Sequence, residues 1–182
     1  FWRVTTRAAP HNEYTSTTLL RAYADNHGGS TTGSPTTLPH KGDASPPSNP
    51  SPRSFTIQFS SADYTVQWRY DAGTNSYLRF MGGSPHNDAL TGRQLRAKNV
   101  VVMDTTESAA YDPYTPGSIH LATEGQGRAV VYQDGRTVVG TWQKGSVSAP
   151  LQWLDSSGRP IPLNRGLTWV EVVPQGTPVT TP

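Results

Sequence analysis

Among the five histidines of the sequence, His11, His27, His40, His86 and His120, two share a local setting. Ala9-Pro10-His11-Asn12 and Ser84-Pro85-His86-Asn87-Asp88 each carry Pro-His-Asn. Proline fixes its own φ and confines the residue before it to extended backbone, so each imidazole is expected in a stiffened turn. An imidazole held in this way can act as a general base or a metal ligand. The second copy adds Asp88 two residues beyond His86, and Gly82-Gly83 ahead of it allows close backbone approach. One expectation is therefore a polar site where His11, Asn12, His86, Asn87 and Asp88 converge, with Arg79 nearby. The opposing expectation is architectural, with the histidines and the aspartate capping loops by bonds to neighbouring backbone. A repeated tripeptide does not choose between them.

The chain contains no cysteine, which removes disulfides, thiolate catalysis and Cys-based zinc or iron–sulfur sites. No HExxH helix, Gly-x-Ser-x-Gly elbow, phosphate-cradling loop or dinucleotide fingerprint occurs, and no metal or cofactor is assigned. Asp104, Glu107 and Asp112 fall in one segment that lacks the alternation and glycine of an EF-hand, so it reads as an exposed acidic loop. A formal charge of +2, with Lys and Arg scattered, gives no sign of a nucleic-acid partner. Trp68, Trp142, Trp153 and Trp169 lie in expected strands and are assigned to the core. Trp2, beside Arg3, is the aromatic expected at an interface.

The elements that must position these groups follow from composition and period. Seventeen Gly and sixteen Pro in 182 residues imply short elements and many turns, and exclude a helical bundle. No apolar run approaches the ~18 residues of a membrane span. Residues 1–27 read as an irregular segment followed by one helix, about 17–27. Thr15 or Ser16 would supply the N-cap, Leu19, Leu20, Tyr23 and Ala24 one face, and Gly28-Gly29 the stop. Residues 28–52 are Gly, Ser, Thr or Pro at 19 of 25 positions, an insert that cannot bury enough apolar surface to order itself. Either the domain's own surface or a neighbouring molecule must hold it, and Pro46 and Pro47 are its candidate contacts.

From Ser54 the period becomes two. Phe55, Ile57 and Phe59 alternate with polar residues, as do Tyr64, Val66, Trp68 and Tyr70. Strands are expected at Ser76 to Met81, at Val100 to Met103 (an apolar run suited to a strand covered on both faces), and at Ile119 to Ala122. Ala129 to Tyr132 and Thr137 to Val139 flank Asp134-Gly135, the signature of a two-residue type I′ hairpin. Leu151 to Leu154 and Leu167 to Val173 complete the set, the latter closed by Pro174. The expected fold is α+β and predominantly antiparallel, with eight or nine strands in a sandwich- or barrel-like body over residues 53–174. Residues 175–182 form an extended tail.

Several ordered motifs resemble one known family. They are Phe1-Trp2-Arg3, Arg7 to Thr15, Trp68-Arg69-Tyr70-Asp71, Pro85-His86-Asn87-Asp88 and Thr91-Gly92-Arg93-Gln94. Further along come Ala97-Lys98-Asn99-Val100-Val101, Asp134-Gly135, Gly140-Thr141-Trp142 and Leu163 to Pro174. Together they resemble the YerB-like family of bacterial lipoproteins, whose biochemical function is unknown. The resemblance covers nearly the whole chain apart from the insert, and departs from the family at Arg165, where proline is usual. It implies an exported, often lipid-anchored protein of the bacterial envelope with a preceding N-terminal domain. This chain would correspond to the end of that domain and the whole of the next. A start at Phe1 agrees with a piece of a longer product, so no signal peptide or anchor is legible.

The function expected is an extracytoplasmic domain that binds or assembles at the cell surface and does not catalyse. Its partners would be the preceding domain, a second copy or an envelope component. The alternative is an envelope hydrolase, metal-assisted or not, acting on cell-wall polymer or glycan through His11, His86 and Asp88.

Overall fold

The computed structural model describes residues 1–9, 11–29, 38–110 and 117–182. The bend expected at Pro10, residues 30–37 of the insert and Asp112 of the acidic segment lie outside them. The chain divides into two compact units, Phe1–Thr37 and Leu38–Pro182.

In the first unit, β1 (Trp2–Arg3) pairs with β2 (Glu13–Tyr14), and α1 (Thr17–Asn26) follows. The Ser16 side chain accepts the Leu19 amide at 3.2 Å and so caps the helix, while Gly28 leaves it at φ +70°. None of the described residues of this unit is buried.

The second unit contains β3 (His40–Lys41), β4 (Ser54–Gln58), β5 (Thr65–Asp71), β6 (Ser76–Met81), β7 (Ser84–Pro85) and β8 (Arg96–Ala97). Then come β9 (Asn99–Thr105), β10 (Glu107–Ala109), β11 (Ile119–Leu121), β12 (Gly125–Gln133) and β13 (Arg136–Lys144). Last are β14 (Gln152–Asp155), β15 (Leu163–Asn164), β16 (Thr168–Pro174) and β17 (Val179–Thr180). Eight of these have four residues or more, and with the single helix they make the expected mostly antiparallel α+β fold.

One sheet runs β17-β4-β5-β6-β7, with β8 also on β6; the other runs β14-β13-β12-β9-β16. Neither closes, so the body is a sandwich and not a barrel. Most pairs are antiparallel, but β16 lies parallel to β9. The two sheets bury Phe55, Ile57, Val66, Trp68 and Tyr77 against Val100, Val102, Val130, Tyr132 and Val173. Phe55 stacks on Tyr132 with ring centroids 3.6 Å apart. Val101, Met103, Ala129, Val131 and Trp142 point to the opposite face and are covered by Trp153, Ile161, Leu163 and Leu38. The apolar run of β9 is thus buried on both sides, the condition under which a strand needs no polar alternation.

At the β12–β13 turn, Asp134 and Gly135 take φ +53° and +63°, as a type I′ turn requires. Two expectations of alternation fail at strand ends. Phe59 lies beyond β4 and Tyr64 closes a short 3-10 turn (Ala62–Tyr64), so both side chains are exposed. Trp68, Trp142 and Trp153 are buried as expected, and Trp169 is half-buried.

Residues 38–52 are held by their own domain. β3 pairs in parallel with β15, Leu38 packs on the second core, and the Ser51 amide donates to Gly135 O at 3.0 Å. The tail joins the first sheet through β17, and Gln58 N donates to Pro178 O at 3.0 Å.

Candidate functional site

Arg79 faces inward from β6, where a charged side chain must find partners or carry a large desolvation cost. Its Nε donates to Glu171 Oε1 at 3.3 Å, and the same oxygen accepts Trp68 Nε1 at 3.0 Å. The guanidinium lies 4.9 Å from the Trp169 ring centroid and 5.8 Å from that of Trp68. Its Nη1 donates to His86 Nδ1. Because arginine can only donate, Nδ1 must be the unprotonated nitrogen, and the neutral ring carries its proton on Nε2. Burial, then the charge of Arg79, hold the imidazole below its usual pKa.

The backbone of Arg79 places His86. Arg79 O accepts the His86 amide at 3.0 Å and Gln94 Nε2 at 2.8 Å, while Arg79 N donates to Leu95 O at 2.9 Å. Asn87 bridges to Gln94, and beyond it the chain turns back. Asp88 Oδ1 accepts the Thr91 amide and hydroxyl, each at 2.7 Å, and these two donors lower its pKa.

Of the residues expected to converge, Arg79 and His86 do meet. Asp88 is turned onto Thr91, and Asn87 is exposed. His11 and Asn12 belong to the other unit. There His11 is exposed, and Asn12 accepts Arg3 Nη1 at 2.8 Å and donates to Val4 O at 3.2 Å. Arg3 also pairs with Glu13, and Trp2 stacks on Tyr14 with centroids 6.2 Å apart. Pro46 is exposed and Pro47 half-buried, both between β3 and β4. Among the described residues no three His, Asp or Glu side chains are grouped closely enough to share a metal ion.

Two groups carry more than sequence reasoning gave them. Glu171 sits between Trp169 and Val173 on the inward face of β16, so the period of two marks it as a core carboxylate. Asp134 is buried in the hairpin turn and accepts Lys41 Nζ, Asn75 Nδ2 at 2.8 Å and Asn164 Nδ2 at 2.7 Å. Burial pushes its carboxyl up, but these donors and the Lys41 charge outweigh that and bring it below the usual range. Lys41 also donates to Asn164 Oδ1 at 2.6 Å, so Asp134 ties the docked insert to three other segments.

Residues 55–170, more than half of the chain, match the family described as protein of unknown function (DUF3048), C-terminal domain. The chain belongs to this family. The chain is 23% identical over 177 residues to the protein named "Putative lipoprotein YerB" of Bacillus subtilis (strain 168), covering 96% of this chain and 51% of that one. It also superposes on the crystal structure of YerB from Bacillus subtilis with a TM-score of 0.78 at 21% identity. That match covers 99% of this chain and 59% of the solved one, so the fold is shared. The chain spans about half the length of the curated relative. Among the described residues no helix is long and apolar enough to cross a membrane.

Proposed function

We propose that this chain is an extracytoplasmic domain of the bacterial envelope that works by binding or assembly and carries no catalysis of its own. The observation that carries the reading is a division of labour among side chains. Four of the groups able to do chemistry, all in the β-rich unit, are engaged in structure: His86 Nδ1 on Arg79, Glu171 between Arg79 and Trp68, Asp88 on Thr91, and Asp134 on Lys41, Asn75 and Asn164. Meanwhile Trp2, Tyr14, Leu19, Leu20 and Tyr23 stand 36–60% exposed in a unit none of whose described residues is buried. Fully burying an aliphatic or aromatic side chain is worth roughly 1.5–3 kcal/mol, so covering these half-exposed ones would gain about half of that each, which favours a partner surface there. The lipoprotein name of YerB and its greater length support an envelope location and a preceding domain of the same polypeptide as that partner. A second copy or another envelope protein would use the same side chains.

The hydrolase reading draws on His11, His86 and Asp88; His86 Nδ1 and Asp88 are otherwise bonded, and His11 is an exposed residue of the other unit. Hydrogen exchange tests the proposal. Amides of residues 1–29 should exchange quickly in this chain alone and be protected when the preceding domain is attached. Equal exchange in both would remove the assembly surface. Turnover of cell-wall fragments by the wild type but not by His86→Ala would overturn the non-catalytic part.

A further inference from the structure

The pairing register lays a row of cations across the outer face of the β17–β7 sheet. Arg69 on β5 is paired with Leu78 on β6, and Leu78 with Arg96 on β8. Directly opposed residues share a face, and strands lie about 4.8 Å apart, so the two arginines are anchored about 10 Å from each other. Arg69 also lies over the Phe80 ring at 3.9 Å, a cation–π contact that keeps its guanidinium close to the sheet. Arg93 follows from the adjoining turn. All three arginines are exposed, and none pairs with a carboxylate among the described residues.

Arg96 separates two recesses. One, of about 430 Å³, is lined by Thr74, Ser76, Lys98 and Leu167 as well as Arg96. The other, of about 520 Å³, is lined by Leu78, Thr91, Arg93 and Gln94 with Arg96. Asp88 lines the second recess too; its carboxylate accepts two bonds from Thr91 and keeps its negative charge, so an anion there is favoured beside Arg93 and Arg96 and not beside Asp88. Cations at intervals, with hydroxyl and amide groups in the hollows between them, complement a chain in which charges alternate with hydroxylated units. Each exposed ion pair is weak alone, so only a ligand that touches several at once gains useful affinity. The guanidinium fork matches the paired non-bridging oxygens of a phosphodiester.

We propose that this face, across Arg69, Arg93 and Arg96, binds an extended hydroxylated poly(phosphodiester). The assignment rests on the binding reading above and names its ligand class.

Titration calorimetry and amide chemical shifts with synthetic poly(glycerol phosphate) at about 50 and 200 mM salt test it, since screening grows with ionic strength. Binding should weaken at least several-fold at the higher salt, and shifts should cluster in β5, β6 and residues 91–98. Arg93→Gln and Arg96→Gln should each weaken binding by about three- to tenfold, and the triple variant with Arg69→Gln should abolish it. Arg159→Gln, at the β14 turn, should change nothing. Absence of binding would overturn the proposal, as would equal affinity for a polyuronate, for single-stranded DNA or for phosphatidylglycerol vesicles. Shifts elsewhere on the wild-type protein would do so without any variant. If the polymer fails while residues 1–29 are still protected by the preceding domain, the ligand is wrong and the assembly reading stands.

Discussion

Replacing Glu171 by Gln removes one charge from the interior and leaves the shape and the acceptor for Trp68 Nε1 in place. The partners are only 8% and 7% exposed, so solvent screens the pair weakly. Deleting one member of a buried ion pair typically costs about 3–5 kcal/mol, because the other is stranded without a counter-charge. Here the contact is a single Nε–Oε1 bond at 3.3 Å, and Trp169 and His86 still engage the guanidinium. The expected cost therefore lies near the lower limit, about 3 kcal/mol, or about 10 °C in Tm for a chain of this size. Arg79→Met should cost a similar amount by stranding Glu171. The double variant Arg79→Met, Glu171→Gln removes both charges, so it should be less destabilised than the two single losses combined, by about 2 kcal/mol. Urea unfolding followed by tryptophan fluorescence measures all four corners of the cycle. Single variants that lose under about 1 kcal/mol, or a double variant that loses the full sum, would refute the argument that this pair is a desolvated unit.

The depressed pKa of His86 sets a pH window. Above about 6.5 the ring is neutral both folded and unfolded; as pH falls below that, the unfolded chain takes up a proton that the folded site resists. Stability should therefore fall with acidification below about pH 6.5 more steeply in wild type than in His86→Gln. Parallel curves from pH 7.5 to 5 would remove the effect. Gly140 faces the backbone of β14, and a Cβ there would stand 1.9 Å from Leu154 O. Gly140→Ala should cost about 3 kcal/mol, the upper part of the overpacking range, and should release the amides of residues 152–155 to hydrogen exchange ahead of β12. Retention of parental stability and exchange would show that β14 yields without cost.

Much of the fold was legible because its causes are local. Ser16 caps α1 because a hydroxyl reaches an amide three residues on, and Asp134-Gly135 turns because both residues tolerate positive φ. The alternation in β4 and β5 announces which side chains face inward, and the unbroken run in β9 announces a strand covered twice. The candidate site was legible only in part. Pro85-His86 and Arg79 are near in sequence and meet, but Asp88 finds Thr91 three residues away in place of the imidazole. Glu171 was not singled out: the period of two could have marked it as inward, but nothing local says that it faces Arg79.

Tertiary structure alone decided the rest, because the deciding contacts join distant segments. Arg79 and Glu171 are 92 residues apart and Lys41 and Asp134 are 93 apart, and no periodicity encodes such partners. The docking of residues 38–52 follows from a parallel pairing, the packing of Leu38, the Ser51 amide on Gly135 and the Lys41–Asp134 pair, which together outweigh a composition suited to disorder. The arginines look scattered along the chain. Only the strand register, set by which side chains must be buried, places Arg69 and Arg96 in one row.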